Sequence, residues 1–340
     1  MSFDVLQKKI IEKRNPTVAG LDPKPEQIPP HILKMACDQY GETLAGAAEA
    51  VWQFNRGLID ALSDVVPAVK PQSAYYERLG WRGMEVMERT ISYAQERGLF
   101  VIADVKRGDI GSTAQAYADG WLGETQVGES ACSAFHADCV TLNGYMGSDT
   151  VLPFVDTCRK YGKCLFLLAK TSNPGSGELQ NLTAGDRLVY QLLGDMAERL
   201  GTGTEGDYGY GLAGAVTGAT YPEELRELRA RLPHTFFLVP GYGAQGGTAE
   251  DVQYAFDRKG CGAVVNASRS IMCAWQKTGK GGADFQEAAR AAAEAMRDAI
   301  GQYVTILEKR RRDQPWRRKR SASPAGRRWN MSARPCCRTG

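Results

Sequence analysis

The chain has 340 residues, 43% of them apolar, which is enough for one large core; barrels of roughly 250 residues are routinely a single domain. No apolar run approaches the ~20 residues that span a bilayer, and Met1–Arg14 has the pattern of an amphipathic helix without the apolar centre of a secretory signal, so the sequence predicts a soluble cytoplasmic protein. The formal charge of +3 is unevenly spread: Lys309 to Gly340 carries twelve Lys/Arg and one acidic residue, a net +11, which leaves −8 for residues 1–308.

In chain order, Thr17 to Leu21 reads as a strand ending at Asp22, and Pro25, Pro29 and Pro30 mark a loop. A helical region follows from His31 to Leu62, with Ala48, Val51, Phe54, Leu58 and Leu62 at spacings of three or four. Val65 to Val69 is a second strand, ending at Lys70, and helix signals return from Ser73 to Arg97 with a break near Gly80. Leu99 to Asp104 is a third strand and a helix begins at Ser112. Cys139 to Asn143 is the fourth strand, with a short helix over Val151 to Tyr161. Lys163 to Ala169 is the fifth strand, and Asp186 to Leu200 reads as a helix. Leu212 to Val216 is the sixth strand, and Pro222 opens a helix to Leu232. Phe236 to Val239 is the seventh, and Thr248 with Asp251 resembles a capping box. Gly262 to Asn266 is the eighth, and Ala288 to Glu308 forms a long final helix.

None of these strands alternates polar with apolar residues, so both faces of each are buried. Eight such strands separated by helices predict an α/β fold, the (β/α)8 TIM barrel, as a single domain over residues 1–308 with extra N-terminal helices. An open doubly wound sheet is the competing arrangement. The tail 309–340 has only Trp316 and Trp329 as aromatics and no periodic pattern, so it is expected to be disordered.

The third strand carries the most unusual local chemistry. An apolar run turns abruptly into Asp104, Lys106, Arg107 and Asp109, four charges within six residues. Asp104 and Lys106 are two apart and point to one side of a strand, and Gly108 permits a tight turn. Charge at the end of a core strand needs partners, so it is either an ion network or a catalytic centre. A barrel places its active site at the C-terminal ends of its strands. Those ends here offer Asp22, Lys70, Asp104 with Lys106, Asn143, Ser172, Gln245 and Arg269.

Gly241-x-Gly243-x-x-Gly246 matches a dinucleotide fingerprint by letter, but it comes late in the chain and Asn266, not an acid, stands about twenty residues on. A phosphate cradle with Arg269 as its cation is the better reading, since loops after strands seven and eight are the usual phosphate site of barrels. The nine cysteines include no C-x-x-C pair. Cys132 and His136, four apart, supply too few ligands for a closed metal site, so no metal is expected.

Taken together these residues resemble the orotidine 5'-phosphate decarboxylase family, in particular its longer bacterial (type 2) subgroup, over about Thr17 to Ile271. The carriers are Asp104-Val105-Lys106-Arg107-Gly108-Asp109-Ile110 with Thr113, Thr171-Ser172-Asn173-Pro174, Pro240-Gly241-Tyr242-Gly243-Ala244-Gln245-Gly246-Gly247 and Asn266-Ala267-Ser268-Arg269. The resemblance implies conversion of orotidine 5'-monophosphate to UMP and carbon dioxide, the last step of pyrimidine nucleotide synthesis, without a cofactor. It implies that Lys70, Asp104, Lys106 and Asp109 form the catalytic network, with Lys106 as proton donor. By the same resemblance Asp22 and Lys70 hold the ribose, Ser172 meets the pyrimidine, and Gln245 and Arg269 bind the phosphate. It also implies a homodimer in which Asp109 and Thr113 reach the partner's site. Gly144, where the resemblance leads one to expect proline, is expected to loosen its loop.

Two rival readings remain at this level. One is a magnesium-dependent sugar-phosphate decarboxylase or synthase of the same superfamily, which shares the D-x-K-x-x-D pattern. The other is a nucleic-acid-binding protein, suggested by the basic tail alone. The sequence predicts neither nucleic acid nor membrane as a partner.

Overall fold

A computed structural model describes residues 2–243 and 245–307. The tail over 309–340 and Ala244 lie outside the described residues, so the expectation of a disordered tail is not addressed by them. Eight strands pair in parallel: β1 (Thr17–Leu21), β2 (Ala68–Pro71), β3 (Phe100–Arg107), β4 (Cys139–Leu142), β5 (Cys164–Lys170), β6 (Ala213–Thr217), β7 (Phe237–Val239) and β8 (Ala263–Ala267). Each neighbours the next in sequence, and Val18 of β1 pairs both with Ala68 of β2 and with Asn266 of β8. The ring is therefore a closed TIM barrel, and the open sheet is excluded.

The helices are α1 (Ser2–Lys13), α2 (Pro30–Tyr40), α3 (Leu44–Leu62), α4 (Ser73–Glu77), α5 (Trp81–Glu96), α6 (Gly111–Trp121), α7 (Leu152–Tyr161), α8 (Gly177–Gln180), α9 (Val189–Gly201), α10 (Pro222–Arg231), α11 (Ala249–Val252), α12 (Arg269–Met272) and α13 (Phe285–Gly301). The helical region expected over His31 to Leu62 divides at Gly41, whose φ of +74° suits glycine. Thr43 then caps α3 by accepting from Gly46 N at 3.3 Å. The last helix runs from Phe285 and stops at Gly301, short of the expected Glu308. Arg187–Leu188 pairs with Thr183–Ala184, so α9 starts at Val189 rather than Asp186. That hairpin and a second, Thr125–Val127 with Ser130–Cys132, leave no trace in the apolar pattern, because their strands are two or three residues long and mostly exposed.

Alternate residues of the strands enter two separate cores. Val18, Phe100, Ile102, Phe166, Phe236 and Val264 fill the barrel interior. Ala19, Val101, Ala103, Leu165, Phe237 and Val265 pack outward under the helices. Burial on both sides is why the strands show no alternation of polarity.

The N-terminal helix plugs one end. Phe3, Leu6 and Ile10 enter the barrel core, and Phe3 stacks on Phe236 with centroids 4.7 Å apart. Asp4 accepts from the backbone N–H groups of Asp207 and Tyr208, and Gln7 from that of Gly262, on segments that lead into β6 and β8. With that end filled, the cavity lies at the C-terminal ends of the strands.

Candidate active site

The inward face of β3 reads Phe100, Ile102, Asp104, Lys106, so the parity that fills the barrel delivers its first charge just above the apolar layers. Lys70 follows Ala68 inward on β2 in the same way. Asp104, 6% exposed, is fully engaged: Oδ2 accepts from Lys70 Nζ at 2.6 Å, and Oδ1 from Lys106 Nζ at 2.6 Å and Thr141 Oγ1 at 2.8 Å. Burial alone would raise the Asp104 carboxyl, but the charges of Lys70 and Lys106 and their hydrogen bonds outweigh it and hold it well below the usual carboxylate range. Burial likewise opposes the Lys70 ammonium, and the charges of Asp104 and Asp22 more than restore it, so its pKa lies above the ordinary lysine value. Both members of the Lys70–Asp104 pair therefore carry charge at neutral pH.

Lys106 reaches this position through an irregular backbone. Its φ is +46°, a left-handed conformation that costs a non-glycine residue about 1 kcal/mol or more. The β3–β4 pairing shifts register between Ala103 and Arg107. Lys106 N donates to Thr141 Oγ1 at 3.0 Å, so one hydroxyl braces both the carboxylate and the strained peptide.

These groups line a cavity of about 640 Å³ with Asp22, Ser172, Gln245 and Arg269. Its walls divide by chemistry. Strands β2 to β4 supply Lys70, Asp104, Lys106 and Thr141, while β5 to β7 supply Leu168, Val216 and Leu238. Asp22 Oδ2 accepts from Ser268 Oγ at 2.6 Å, while its buried Oδ1 has no hydrogen-bond partner among the described residues; Asn266 Oδ1 is in the same state. Two buried acceptors left open on a cavity wall suit a ligand with hydroxyl or N–H donors. Glycine at position 20 makes room for the Asp22–Ser268 contact, because a Cβ there would lie 1.9 Å from Ser268 Oγ.

Ser172 on the loop after β5 donates to Gln245 Oε1 at 2.7 Å, joining two loops across the cavity mouth. The Gly241–Gly247 loop turns tightly: Gly241, Gly243 and Gly246 have φ of +100°, +71° and +101°. Thr248 caps α11 as expected, with reciprocal bonds to Asp251. Arg269 opens α12, exposed at the mouth.

The structure thus brings together seven of the residues singled out from sequence: Asp22, Lys70, Asp104, Lys106, Ser172, Gln245 and Arg269. Asp109 and Thr113 do not line the cavity of their own chain; Asp109 is half-buried just before α6 and Thr113 is exposed on it. Asn143 also stays outside, accepting from Tyr145 N at 3.0 Å. Gly144 does not behave as expected. It is buried, and a Cβ there would stand 3.0 Å from Leu167 Cδ1, so the position is packed rather than loosened.

Sequence reasoning missed Lys24, Gln27, Tyr75 and Thr141 among the lining residues. Thr141 had one available signal, a hydroxyl inside the apolar run Cys139–Leu142. Lys24 lies two residues beyond Asp22 in a proline-rich loop that offers no pattern to read.

The model of the orotidine 5'-phosphate decarboxylase / HUMPS family matches residues 44–281. An orotidine 5'-phosphate decarboxylase of Rhodopirellula baltica is 42% identical over 299 residues, covering 87% of this chain and 97% of that protein. One of Clostridium acetobutylicum is 40% identical over 291 residues, covering 85% and 96%. The solved structure of Leishmania donovani OMP decarboxylase superposes with a TM-score of 0.66 at 30% identity, over 88% of this chain and 98% of that one.

Proposed function

The chain belongs to the orotidine 5'-phosphate decarboxylase / HUMPS family, and we propose that it decarboxylates orotidine 5'-monophosphate to UMP with Lys106 as the proton donor. The observation that carries this reading is the Lys70–Asp104–Lys106 array, paired at 2.6 Å on both sides of the carboxylate in the wall of a cavity whose mouth holds Gln245 and Arg269.

The bond between the pyrimidine ring and its carboxylate breaks, carbon dioxide leaves, and the electron pair stays on the ring carbon. That carbanion has no carbonyl placed to delocalise it, so it needs a cation beside it and then a proton. The Lys106 ammonium supplies both. Asp104 stands beside the departing carboxylate, where repulsion eases as carbon dioxide forms. Lys70, together with Asp109 contributed by a second copy of the chain, holds Asp104 and Lys106 in place. Leu168, Val216 and Leu238 on the opposite wall lower the local dielectric, which strengthens every one of these interactions.

Asp22, with its open Oδ1, and Lys70 hold the ribose hydroxyls; Ser172 meets the pyrimidine; Gln245 and Arg269 hold the phosphate. Enzymatic accelerations demand up to ~23 kcal/mol of barrier lowering, and one preorganised donor supplies roughly 3–4. The remainder draws on remote binding energy, with the Ser172–Gln245 bond as the contact through which the loops close over the nucleotide.

Asp109 and Thr113 complete the cavity of a second copy in a homodimer. Their position away from their own cavity supports this, as does Ile110 between them, a large apolar side chain left 63% exposed. Mixing Asp109→Ala with Lys106→Ala protein should regenerate intact sites and restore activity that neither variant shows alone.

The direct test is the ultraviolet absorbance of orotidine 5'-monophosphate with purified protein in excess EDTA. A steady fall is expected. No fall with folded protein would redirect attention to magnesium-dependent sugar-phosphate chemistry.

A further inference from the structure

Arg107, next to the proton donor, has no part in the chemistry above. Its side chain leaves the barrel on the opposite side from that of Lys106, as successive residues of a strand do. Outside the ring it is held from three directions. The guanidinium pairs with Glu77 of α4, donates from Nη1 to Val105 O at 2.9 Å, and lies over the rings of Tyr117 and Trp121 of α6, 5.6 and 6.0 Å from their centroids. The backbone on either side is pinned too. Asn143 N donates to Arg107 O at 2.8 Å, and Gly108 packs so closely that a Cβ would meet Asn143 O at 2.8 Å.

Between these anchors sits Lys106 with its φ of +46°. Such a conformation persists only where the surroundings over-determine it. Thr141 Oγ1 holds the Lys106 N–H from inside the barrel, and the Arg107 fork holds the Val105 carbonyl, at the other end of the same peptide unit, from outside. Among the described residues the half-exposed Lys106 side chain makes one ion pair, to Asp104, so its direction depends on the backbone beneath it.

We propose that Arg107 is a positioning residue for the decarboxylation: clamped by Glu77, Tyr117 and Trp121, it locks the left-handed turn that aims the Lys106 ammonium into the cavity. The proposal rests on Lys106 being the proton donor and extends that role outward to a contact between α4 and β3. Glu77 enters as the other half of the clamp. Burial opposes its charge, and the Arg107 hydrogen bond and charge overcome this to lower its pKa, so the pair stays ionised at neutral pH.

The test compares Arg107→Gln, Arg107→Lys and Glu77→Gln with wild type for kcat on orotidine 5'-monophosphate, UMP affinity and thermal stability. Arg107→Gln is expected to lower kcat by roughly 10²-fold, as a misplaced catalytic group does, with UMP affinity almost unchanged. Arg107→Lys keeps the charge without the fork and is expected to recover part of that loss. Combining Glu77→Gln with Arg107→Gln is expected to add little to Arg107→Gln alone, because the two act as one device. A folded Arg107→Gln protein whose kcat stays within about threefold of wild type, or whose loss lies entirely in UMP affinity, would overturn the proposal. If Arg107→Gln does not fold, Glu77→Gln decides: a drop of about tenfold in kcat at constant UMP affinity supports the clamp, and a wild-type kcat overturns it. A wild-type protein inactive on orotidine 5'-monophosphate would instead overturn the assigned function, a result distinct from either.

Discussion

Lys70 Nζ lies 2.6 Å from Asp104 Oδ2, and both side chains are more than nine-tenths buried. Removing one member of such a pair strands the other charge without water. Asp104→Ala should therefore destabilise the fold by about 3–5 kcal/mol while abolishing turnover. Chemical denaturation measures the first effect, and a loss well under 1 kcal/mol would mean that water reaches Lys70 freely.

The same pair sets a pH dependence. The Asp104 carboxyl is held below the usual carboxylate range, so its stabilising contribution is present above the unfolded value, near 4, and is lost as pH falls through the folded one. The Lys70 ammonium is raised above its ordinary value, so its contribution is present through neutral pH and lost only as strongly alkaline pH passes the folded value. Urea midpoints of wild type and Asp104→Asn should therefore keep their separation from pH 7 to about 5 and converge as pH drops from about 4 towards 2. A constant difference down to the acid end of that range would contradict the assignment.

Arg269 is proposed to hold the phosphate, away from the reacting carbon, yet Arg269→Ala should lower kcat/KM by roughly 10²-fold or more. Charge-assisted bonds to a phosphate are worth up to ~3 kcal/mol, and remote binding energy is spent at the reacting centre. The loss should shrink for orotidine, which lacks the phosphate. An effect under about tenfold on the nucleotide would remove Arg269 from the phosphate site.

Gly20 is a more local test. A methyl group there would lie 1.9 Å from Ser268 Oγ, so Ser268 must move off Asp22. Gly20→Ala should raise KM and cost about 1–3 kcal/mol of stability from overpacking. An unchanged KM would show that the Asp22–Ser268 contact does not shape the proposed ribose site.

Deleting residues 309–340 should leave decarboxylation intact, since every residue assigned to the chemistry lies before Lys309. A collapse of activity in the truncated protein would show otherwise.

Much of this was legible in the sequence, for identifiable reasons. A barrel strand buried on both faces must read as an unbroken apolar run, so Asp104 and Lys106 at the end of one stood out. Strand ends converge in a barrel, which made Asp22, Lys70 and Arg269 candidates for one cavity although they are distant in sequence. Thr141 was hidden because its role depends on register. Ile102 pairs with Cys139 and Ala103 with Val140, and only that alignment sets Thr141 beside Asp104. The left-handed φ of Lys106 has no counterpart in residue type, since lysine is not the residue one expects there. Gly144 was misread because its constraint is the Leu167 side chain, a neighbour supplied by the next strand.

The central claim is that the Lys106 ammonium stabilises and then protonates the carbanion. Its most direct test is turnover of orotidine 5'-monophosphate by Lys106→Ala, with UMP affinity measured on the same protein. Turnover should fall by at least ~10³-fold while the variant still binds nucleotide. Wild-type-like turnover would show that the proton comes from another group.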